Sequence, residues 1–163
     1  MILAVNVSED DLGNTALLED LKIPCETQAM EAMLVSAKVE SEICLLDNEE
    51  EKSEFLEDLG IKETALGGLT RLCLKALGLI SFLTVGEDEV RQWLVRKGSA
   101  APVAAGVIHS DLQRGFIRAE VIKYDELMTH GSEAELKKVG KMYVQGKEYT
   151  VDDGDILNIR FKV

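Results

Sequence analysis

The 163-residue sequence predicts an α+β protein, in which a parallel β-α-β unit and packed helices precede a small mixed sheet of the β-grasp type. Two observations support this prediction. Residues 1 to 80 carry 17 acidic and 6 basic side chains, a net charge of −11, whereas residues 81 to 163 carry 13 and 12, a net charge of −1. At the same point the apolar spacing changes from helical to alternating. A boundary near residue 80 follows.

The first segment, residues 1 to 46, has the pattern of a crossover between parallel strands. "ILAVNV" is an apolar strand, a helical stretch follows from Leu12 to Leu21, and "AMLVSA" is a second apolar strand. Continuous apolar strands of this kind are typical of parallel sheets that are covered on both faces. Because two parallel strands leave long unpaired edges, we expect further strands to complete this sheet.

Residues 47 to 80 are predicted to form connecting helices. Asp47 and Glu50 resemble a capping box that opens the helix "EEEKSEFLEDLG", which ends at Gly60. Thr64 opens a second helix, "TALGGLTRLCLKALGL", whose apolar residues recur at helical spacing. Both helices are expected to pack with one acidic outer face.

Residues 81 to 163 read as alternating strands with short helices between them. We expect a hairpin, "SFLTVG" and "EVRQWLVRKG", around a turn at residues 86 to 88, and then a short helix that begins at Pro102. The strand "GFIRAEVIKY" alternates strictly, with Phe116 and Arg118 on one face. A helical segment broken at Gly131, a hairpin around Gln145 and Gly146, and a last strand after Asp153 and Gly154 complete the β-grasp order.

Several functional classes are disfavoured. The apolar run from Leu72 to Val85 is interrupted by Lys75, which argues against a membrane span, and the acidic start has no features of a secretory signal, so we expect a cytoplasmic protein. Cys25, Cys44 and Cys73 form no C-x-x-C pair and are expected to be buried apolar residues. No metal site is expected.

Phosphate-loop, dinucleotide and hydrolase motifs are absent, but two loops match a nucleotide-binding arrangement. "NVSE", residues 6 to 9, follows the first strand, and "SAK", residues 36 to 38, follows the second. Guanine-nucleotide proteins carry N-K-x-D and S-A-K in such loops, at the sheet edge where ligands bind. Glu9 and Val7 depart from the guanine motif, whereas the amide of Asn6 can pair with adenine. Alternatively, Asn6 only caps a turn.

A third stretch, "VIHSDLQRGF", brings His109 and Asp111 close together in sequence and could be an acid-base pair. The surrounding sequence offers no nucleophile, metal or oxyanion site. We therefore interpret the pair as a helix end, with Asp111 accepting backbone hydrogens, His109 closing the last carbonyls, and Gly115 leading into the next strand.

The segments "FLTVGEDEVRQWLVRKGSAAPVAAGVIHSDLQRGFIRAEVIKYDEL" and "GKEYTVDDGDILNIRF" resemble the TGS domain of YchF-type, Obg-like ATPases, and "NVSE" fits the N-x-x-E loop of that family. The resemblance implies a preference for ATP over GTP, with Mg²⁺ as cofactor. It implies that Asn6 and Val7 face the adenine, and that Ser36, Ala37 and Lys38 form the other side of the base pocket.

The chain begins at the base-reading strand, so the phosphate loop and switch regions of the family are expected in a missing amino-terminal portion, in cis or as a separate chain. We therefore expect no catalysis from this chain alone. The resemblance also implies contact with the ribosome or with structured RNA, for which the candidate residues are Arg96, Lys97, Arg114 and Arg118. Trp93 and Phe116 are expected in the core. Two alternatives remain open: a non-catalytic module that binds RNA or protein, and an enzyme built on His109 and Asp111.

Overall fold

A computed structural model of the chain describes residues 1–27, 30–86 and 88–162. The chain divides into two compact units, Met1–Leu77 and Gly78–Val163. The helices of residues 47 to 77 belong to the first unit, and the mixed sheet belongs to the second.

Among its described residues, the first unit contains a two-stranded parallel sheet and four α-helices. Strand β1 (Ile2–Asn6) pairs with β2 (Glu31–Val35) in the register Ile2 with Glu31 to Asn6 with Val35. Helix α1 (Thr15–Thr27) lies between the strands in sequence and confirms the predicted crossover. The remaining helices are α2 (Ala37–Ile43), α3 (Glu49–Asp58) and α4 (Ala65–Ala76).

Side-chain caps define the starts of α3 and α4. The prediction of Asp47 as the cap of α3 is wrong by one residue, because the Asn48 side chain accepts a hydrogen bond from the backbone N–H of Glu51 at 2.7 Å. The predicted cap of α4 is confirmed, since Thr64 Oγ1 accepts from Gly67 N–H at 3.2 Å. Gly60 follows α3 with φ of 67°, a left-handed conformation that favours glycine.

The cysteine prediction holds for only one of three residues. Cys25, in α1, is buried, whereas Cys44 and Cys73 are exposed. The prediction was wrong at the latter two because residue type alone does not show which face of a short helical segment is covered.

The second unit is built on a five-stranded mixed sheet. Its strands are β3 (Leu79–Val85), β4 (Val90–Arg96), β5 (Phe116–Lys123), β6 (Tyr143–Gln145) and β7 (Asp155–Phe161). Their order is β4-β3-β7-β5-β6, and the central strands β3 and β7 are parallel. First and last strands paired in parallel at the centre of the sheet are the arrangement of a β-grasp fold, which confirms the predicted class.

Helices cover parts of both faces of this sheet. The helices of the second unit are α5 (Ala101–Ile108), α6 (Ser110–Arg114), α7 (Tyr124–His130) and α8 (Glu133–Lys138). On one face the alanines of α5 belong to the main core with Phe82, Val121 and Leu157. On the other face Leu136 of α8 packs with Ile122 and Ile156. The two faces are called the α5 face and the α8 face below.

A β-bulge in β5 corrects the predicted alternation. Phe116 pairs with Phe161, but Arg118 pairs with the adjacent Arg160, so the β5 chain carries one extra residue at this point. As a result, Phe116 joins Ala119 in the main core, while Arg118 is exposed. Sequence alternation could not show the extra residue.

Two predicted turns have different outcomes. The hairpin around Gln145 and Gly146 is wrong, because β6 pairs with β5 and Thr150 forms a bridge with Ala100 instead. The β3–β4 hairpin is confirmed by its antiparallel register. Its predicted turn at residues 86 to 88 includes residue 87, which lies outside the described residues.

The buried carboxylate of Asp155 joins three segments of the second unit. It accepts hydrogen bonds from the Tyr149 hydroxyl at 2.7 Å, from Asp152 N–H at 2.9 Å and from Lys123 Nζ at 2.7 Å. Burial and the bond to Asp155 raise the pKa of Tyr149 to about 12. Burial lowers the pKa of Lys123, but its bonds to Asp152, Asp155 and Tyr149 outweigh that effect and raise it.

We expect the free energy of unfolding to fall between about pH 10 and pH 12. Tyr149 and Lys123 both bind their protons more tightly in the folded state, so their contribution is complete below pH 10, the ordinary tyrosine pKa, and declines as each group deprotonates. Urea unfolding of Tyr149→Phe should show a smaller decline than the wild type. Tyr124→Phe, at an exposed position, is the matched control. An identical alkaline decline in the wild type and Tyr149→Phe would contradict this prediction.

Gly115→Ala should destabilise the second unit by about 1–3 kcal/mol, as overpacking does elsewhere. Gly115 has φ of −90°, so conformational freedom is not the reason for glycine here. A β-carbon would instead meet the backbone carbonyl of Lys162 far inside van der Waals contact. Gly146→Ala is the control, since no atom lies within 4 Å of its β-carbon position. Thermal unfolding of both variants checks the prediction, and equal melting temperatures would refute it.

Candidate functional site: two loops at the edge of a parallel sheet

The loops that follow β1 and β2 meet at the carboxyl ends of these strands. Asn6, the last residue of β1, uses Oδ1 to accept a hydrogen bond from Ala37 N–H at 3.0 Å. Val7 N–H donates to Val35 O at 2.8 Å, which extends the strand pairing by one bond. The parallel register fixes this meeting, because it places Asn6 beside Val35, directly before the second loop.

A salt bridge also connects the two loops. Lys38 Nζ lies 3.3 Å from Glu9 Oε2 and 3.7 Å from Glu42 Oε1. The hydrogen bond to Glu9 and the charge of Glu42 raise the pKa of Lys38, which is exposed. The Glu9–Lys38 pair was not part of the sequence prediction. It could have been predicted, because the two residues carry opposite charges in segments that were expected to meet.

All five residues predicted for base binding therefore lie where β1 and β2 end and α2 begins, but they differ in exposure. Asn6, Ala37 and Lys38 are exposed, Val7 is half-buried, and Ser36 is buried with 2% of its surface accessible. Ser36 stands directly before α2, with its backbone carbonyl accepting from Glu40 N–H at 3.0 Å. The surface open to a ligand at these loops is thus formed by Asn6, Ala37 and Lys38.

The Asn6 amide retains hydrogen-bonding capacity toward a ligand. Its Oδ1 has a second lone pair beyond the one used by Ala37, and its Nδ2 group has no hydrogen-bond partner among the described residues. An amide with one free acceptor position and free donors can pair with the N6 and N7 atoms of adenine. The guanine edge offers the same amide no matching donor at its O6 and N7 atoms.

A small cavity of the first unit lies beside this site. Its volume is about 150 Å³, and Glu40 on its wall is bonded through Oε1 to Ala65 N–H at 2.6 Å. Ligand pockets are usually larger, about 300–1,000 Å³. The cavity is therefore too small for a nucleotide, and the open loop edge is the better candidate.

No cluster of three or more His, Cys, Asp or Glu side chains suited to a metal ion exists among residues 1–27, 30–86 and 88–162. Within the same described ranges, no helix is long and apolar enough to cross a membrane.

The four cations predicted to contact RNA are split between two ends of the sheet. Arg96 pairs with Leu79 at the start of β3, and Lys97 follows it, whereas Arg118 pairs with Arg160 in β7. Phe82 of β3 pairs with Asp155 of β7, so Leu79 lies three residues before this pair and Arg160 lies five residues after it. Arg96 and Arg118 are therefore eight residues apart along the strand direction. This corresponds to about 25 Å. Arg114 precedes β5 and forms an ion pair with Asp111.

Trp93 and Phe116 belong to the sheet rather than to an exposed stacking surface. Phe116 is buried, and Trp93 is half-buried, packs against the main core and donates from Nε1 to Thr84 Oγ1 at 2.9 Å. The Arg91 guanidinium lies 5.2 Å from the centre of the Trp93 ring. Both aromatic side chains are thus engaged in the fold, as expected.

His109 both ends α5 and starts α6. His109 has extended backbone angles between α5 and α6, and its Nδ1 accepts from Asp111 N–H at 3.2 Å. The prediction that His109 closes a last carbonyl of α5 is confirmed, because its backbone N–H donates to Ala105 O at 3.1 Å. Asp111 pairs with Arg114 and lies 3.6 Å from His109 Nδ1. The hydrogen bond that His109 Nδ1 accepts from Asp111 N–H explains why the two residues stand two positions apart, and this explanation requires no catalytic role.

Comparison with known proteins agrees with this architecture. Residues 79–162 match the family model YchF-GTPase_C, described as a protein of unknown function (DUF933). The chain is 45% identical to the Ribosome-binding ATPase YchF of Bacillus subtilis, covering 100% of this chain and 45% of that protein. It is 40% identical to Obg-like ATPase 1 of Gallus gallus, covering 99% and 41%.

Among solved structures, the Schizosaccharomyces pombe YchF GTPase superposes with a TM-score of 0.81 and 34% sequence identity, covering 98% of this chain and 43% of that one. The chain thus spans less than half the length of the relatives that it matches. The match extends through both the first unit, with its paired loops, and the β-grasp second unit. By sequence and by structure, this chain belongs to the YchF family of Obg-like ATPases.

Proposed function

We propose that this chain supplies the adenine-binding edge and a TGS-type ribosome-contacting module of a YchF-type ATPase, and that it does not hydrolyse ATP by itself. The observation that carries the nucleotide part is the Asn6–Ala37 hydrogen bond, which joins the two loops before any ligand arrives. Ribosome contact would place the protein in the cytoplasm.

Base recognition follows from what the two loops offer. The free donors of Asn6 Nδ2 suit adenine N7, and the remaining lone pair of Oδ1 suits the adenine amino group. Glu9 is held by Lys38 at 3.3 Å, so its carboxylate is directed to the second loop. This arrangement supports a preference for ATP over GTP, because recognition of guanine needs a carboxylate that is free to accept hydrogen bonds from the edge of the base.

Hydrolysis requires groups that these loops do not supply. Triphosphate binding depends on backbone N–H groups at a helix start and on a lysine, together with Mg²⁺ held by a hydroxyl. The donors at the Asn6 edge address a base and not phosphates. We propose that a further P-loop segment, in cis or as a separate chain, supplies the phosphate and Mg²⁺ contacts.

The sheet of the first unit supports such a segment. Strands β1 and β2 pair with each other, and Leu3 of β1 retains 37% of its surface exposed. An apolar parallel strand with an open edge is a template for further pairing. The matched relatives are more than twice as long as this chain, which provides the material for additional strands.

Ribosome contact is proposed for the second unit. Relatives that share 45% and 44% identity with the chain carry the name ribosome-binding ATPase. The second unit is also close to neutral, while the first half of the chain is strongly acidic. An acidic surface repels RNA, so the second unit is the better candidate for contact, with Arg96, Lys97, Arg114 and Arg118 as its candidate cations.

Millimolar ATP should shift the amide signals of Asn6, Ala37 and Lys38 in a ¹⁵N-resolved NMR titration, and GTP should shift them less. Asn6→Asp should abolish the ATP-induced shifts, because a carboxylate keeps the acceptor for Ala37 N–H but removes the donor to adenine N7. Unchanged signals from the second unit serve as the folding control. The prediction fails if saturating ATP leaves the loop signals in place. Phosphate release above a buffer blank that is lost in Asn6→Ala would contradict the proposed lack of hydrolysis.

The chain should sediment with purified Bacillus subtilis ribosomes at about 50 mM KCl and be released at about 500 mM, since phosphate contacts weaken steeply with salt. Serum albumin, another acidic protein, should remain in the supernatant and controls for trapping. Failure to sediment at low salt, or sedimentation that does not respond to salt, would refute ribosome contact by this chain.

A further inference from the structure

The α8 face of the second unit is only partly covered. The row formed by Leu83, Ile156 and Ile122 lies under α7 and α8. Two residues further along the strands, Val85 is 40% and Val144 is 63% exposed, and Asn158 is also exposed. One end of this face therefore presents its side chains to solvent.

Two arginines stand directly opposite each other at this open end. Arg118 of β5 pairs with Arg160 of β7, and both side chains lie on the α8 face because their neighbours Ala119 and Ile159 pack in the main core. Directly opposite residues have β-carbons about 4.5–5.5 Å apart, and like charges in such positions are destabilising. The fold therefore maintains an unfavourable pair here.

Only one of the two arginines is neutralised within the fold. Arg160 forms a two-pronged bond with Glu120, with distances of 3.2 Å from Nε and 2.9 Å from Nη2. Arg118 has no ion-pair partner among the described residues, and it is exposed. Because Arg118 makes no ion pair within the described residues, its guanidinium donors are available to an anion.

A third cation adds to this surface. Lys137 of α8 is exposed and close enough to Glu120 that its charge, with those of Arg160 and Arg118, lowers the pKa of that carboxyl. The hydrogen bond from Arg160 is the largest cause of that shift. The charges of three cations thus act on one carboxylate, and we name Arg118, Arg160 and Lys137 the basic corner.

We propose that the basic corner binds the phosphate backbone of ribosomal RNA, without reading its sequence. This inference rests on the proposed ribosome contact and assigns it to one surface. Guanidinium groups bind phosphates in a two-pronged manner. The exposed Phe161 follows Arg160 in β7 and therefore lies on the α5 face, so it offers the corner no surface on which a base could stack. Protein interfaces are usually anchored by large apolar side chains, whereas the exposed apolar residues in the neighbouring row of the α8 face, Val85 and Val144, are small.

Arg118→Gln tests the proposal with fluorescence anisotropy of the full chain and a labelled 20-base-pair RNA duplex. The variant should bind roughly tenfold more weakly at low salt. The slope of log affinity against log salt should fall in magnitude by about 0.9, the value for one lost phosphate contact. Its melting temperature should equal or exceed that of the wild type, because the substitution relieves repulsion from Arg160.

Two further variants separate a local surface from diffuse attraction. Lys62→Gln removes one exposed positive charge from the first unit and should leave binding unchanged. Arg96→Gln removes one positive charge from the end of the α8 face opposite the basic corner, and it should weaken binding less than Arg118→Gln does. Equal losses for Arg96→Gln and Arg118→Gln would overturn the assignment to the basic corner. Equally tight binding of a poly-glutamate peptide of matched charge, also dependent on Arg118, would overturn RNA as the partner.

Ribosome sedimentation distinguishes failure of this inference from failure of the proposed function. If the wild-type chain does not sediment with ribosomes, ribosome contact itself is refuted, and the basic corner with it. If the wild type sediments and Arg118→Gln sediments equally well, ribosome contact stands and only the basic corner is refuted. Loss of sedimentation in Arg118→Gln, with Lys62→Gln unaffected, supports both.

Discussion

The buried carboxylate of Asp155 fixes the register of the second unit. Asp155 is the first residue of β7, where it pairs with Phe82 of β3 on one side and with Lys123 of β5 on the other. A slip of one residue would move the charged group away from Lys123 and Tyr149 and put Ile156 in its place. Because an unpaired buried charge costs several kcal/mol, about 3–5 in measured cases, the competing register is strongly disfavoured. The hydrogen bonds of one buried carboxylate thus determine how the strands of a mainly apolar sheet are paired.

The functional surface follows from that register. With Asp155 in position, alternation directs Leu157 and Ile159 to the α5 face and Asn158 and Arg160 to the α8 face. The helices after β5 then cover only the nearer part of the α8 face, and the bulge at the start of β5 returns Phe116 to the core without burying Arg118. The exposed Arg118–Arg160 pair is therefore a consequence of strand register and of one inserted residue.

The sequence allowed the order of elements to be predicted, but not the contacts that depend on a single residue of register. The crossover of the first unit, the Thr64 cap and the β-grasp order follow from local patterns that span many residues. The prediction missed the Asn48 cap and the bridge of Thr150 to Ala100, because several neighbouring residues could have formed each of these local contacts. The split of Arg96 from Arg118 could not be predicted, because strand pairing decides the distance between residues remote in sequence.

The two loops proposed to bind the base show how strand pairing brings the residues of two short motifs together. "NVSE" and "SAK" are a tetrapeptide and a tripeptide, and neither alone distinguishes a nucleotide site from a turn. The parallel register of β1 and β2 brings Asn6 within 3.0 Å of Ala37 N–H, and the Glu9–Lys38 pair closes a second link. Loops linked in this way lose less conformational entropy when a base binds, so pre-organisation favours recognition. Glu9, which stands where the guanine motif has an aspartate, is tied to the second loop through Lys38, and the proposed preference for ATP depends on this contact.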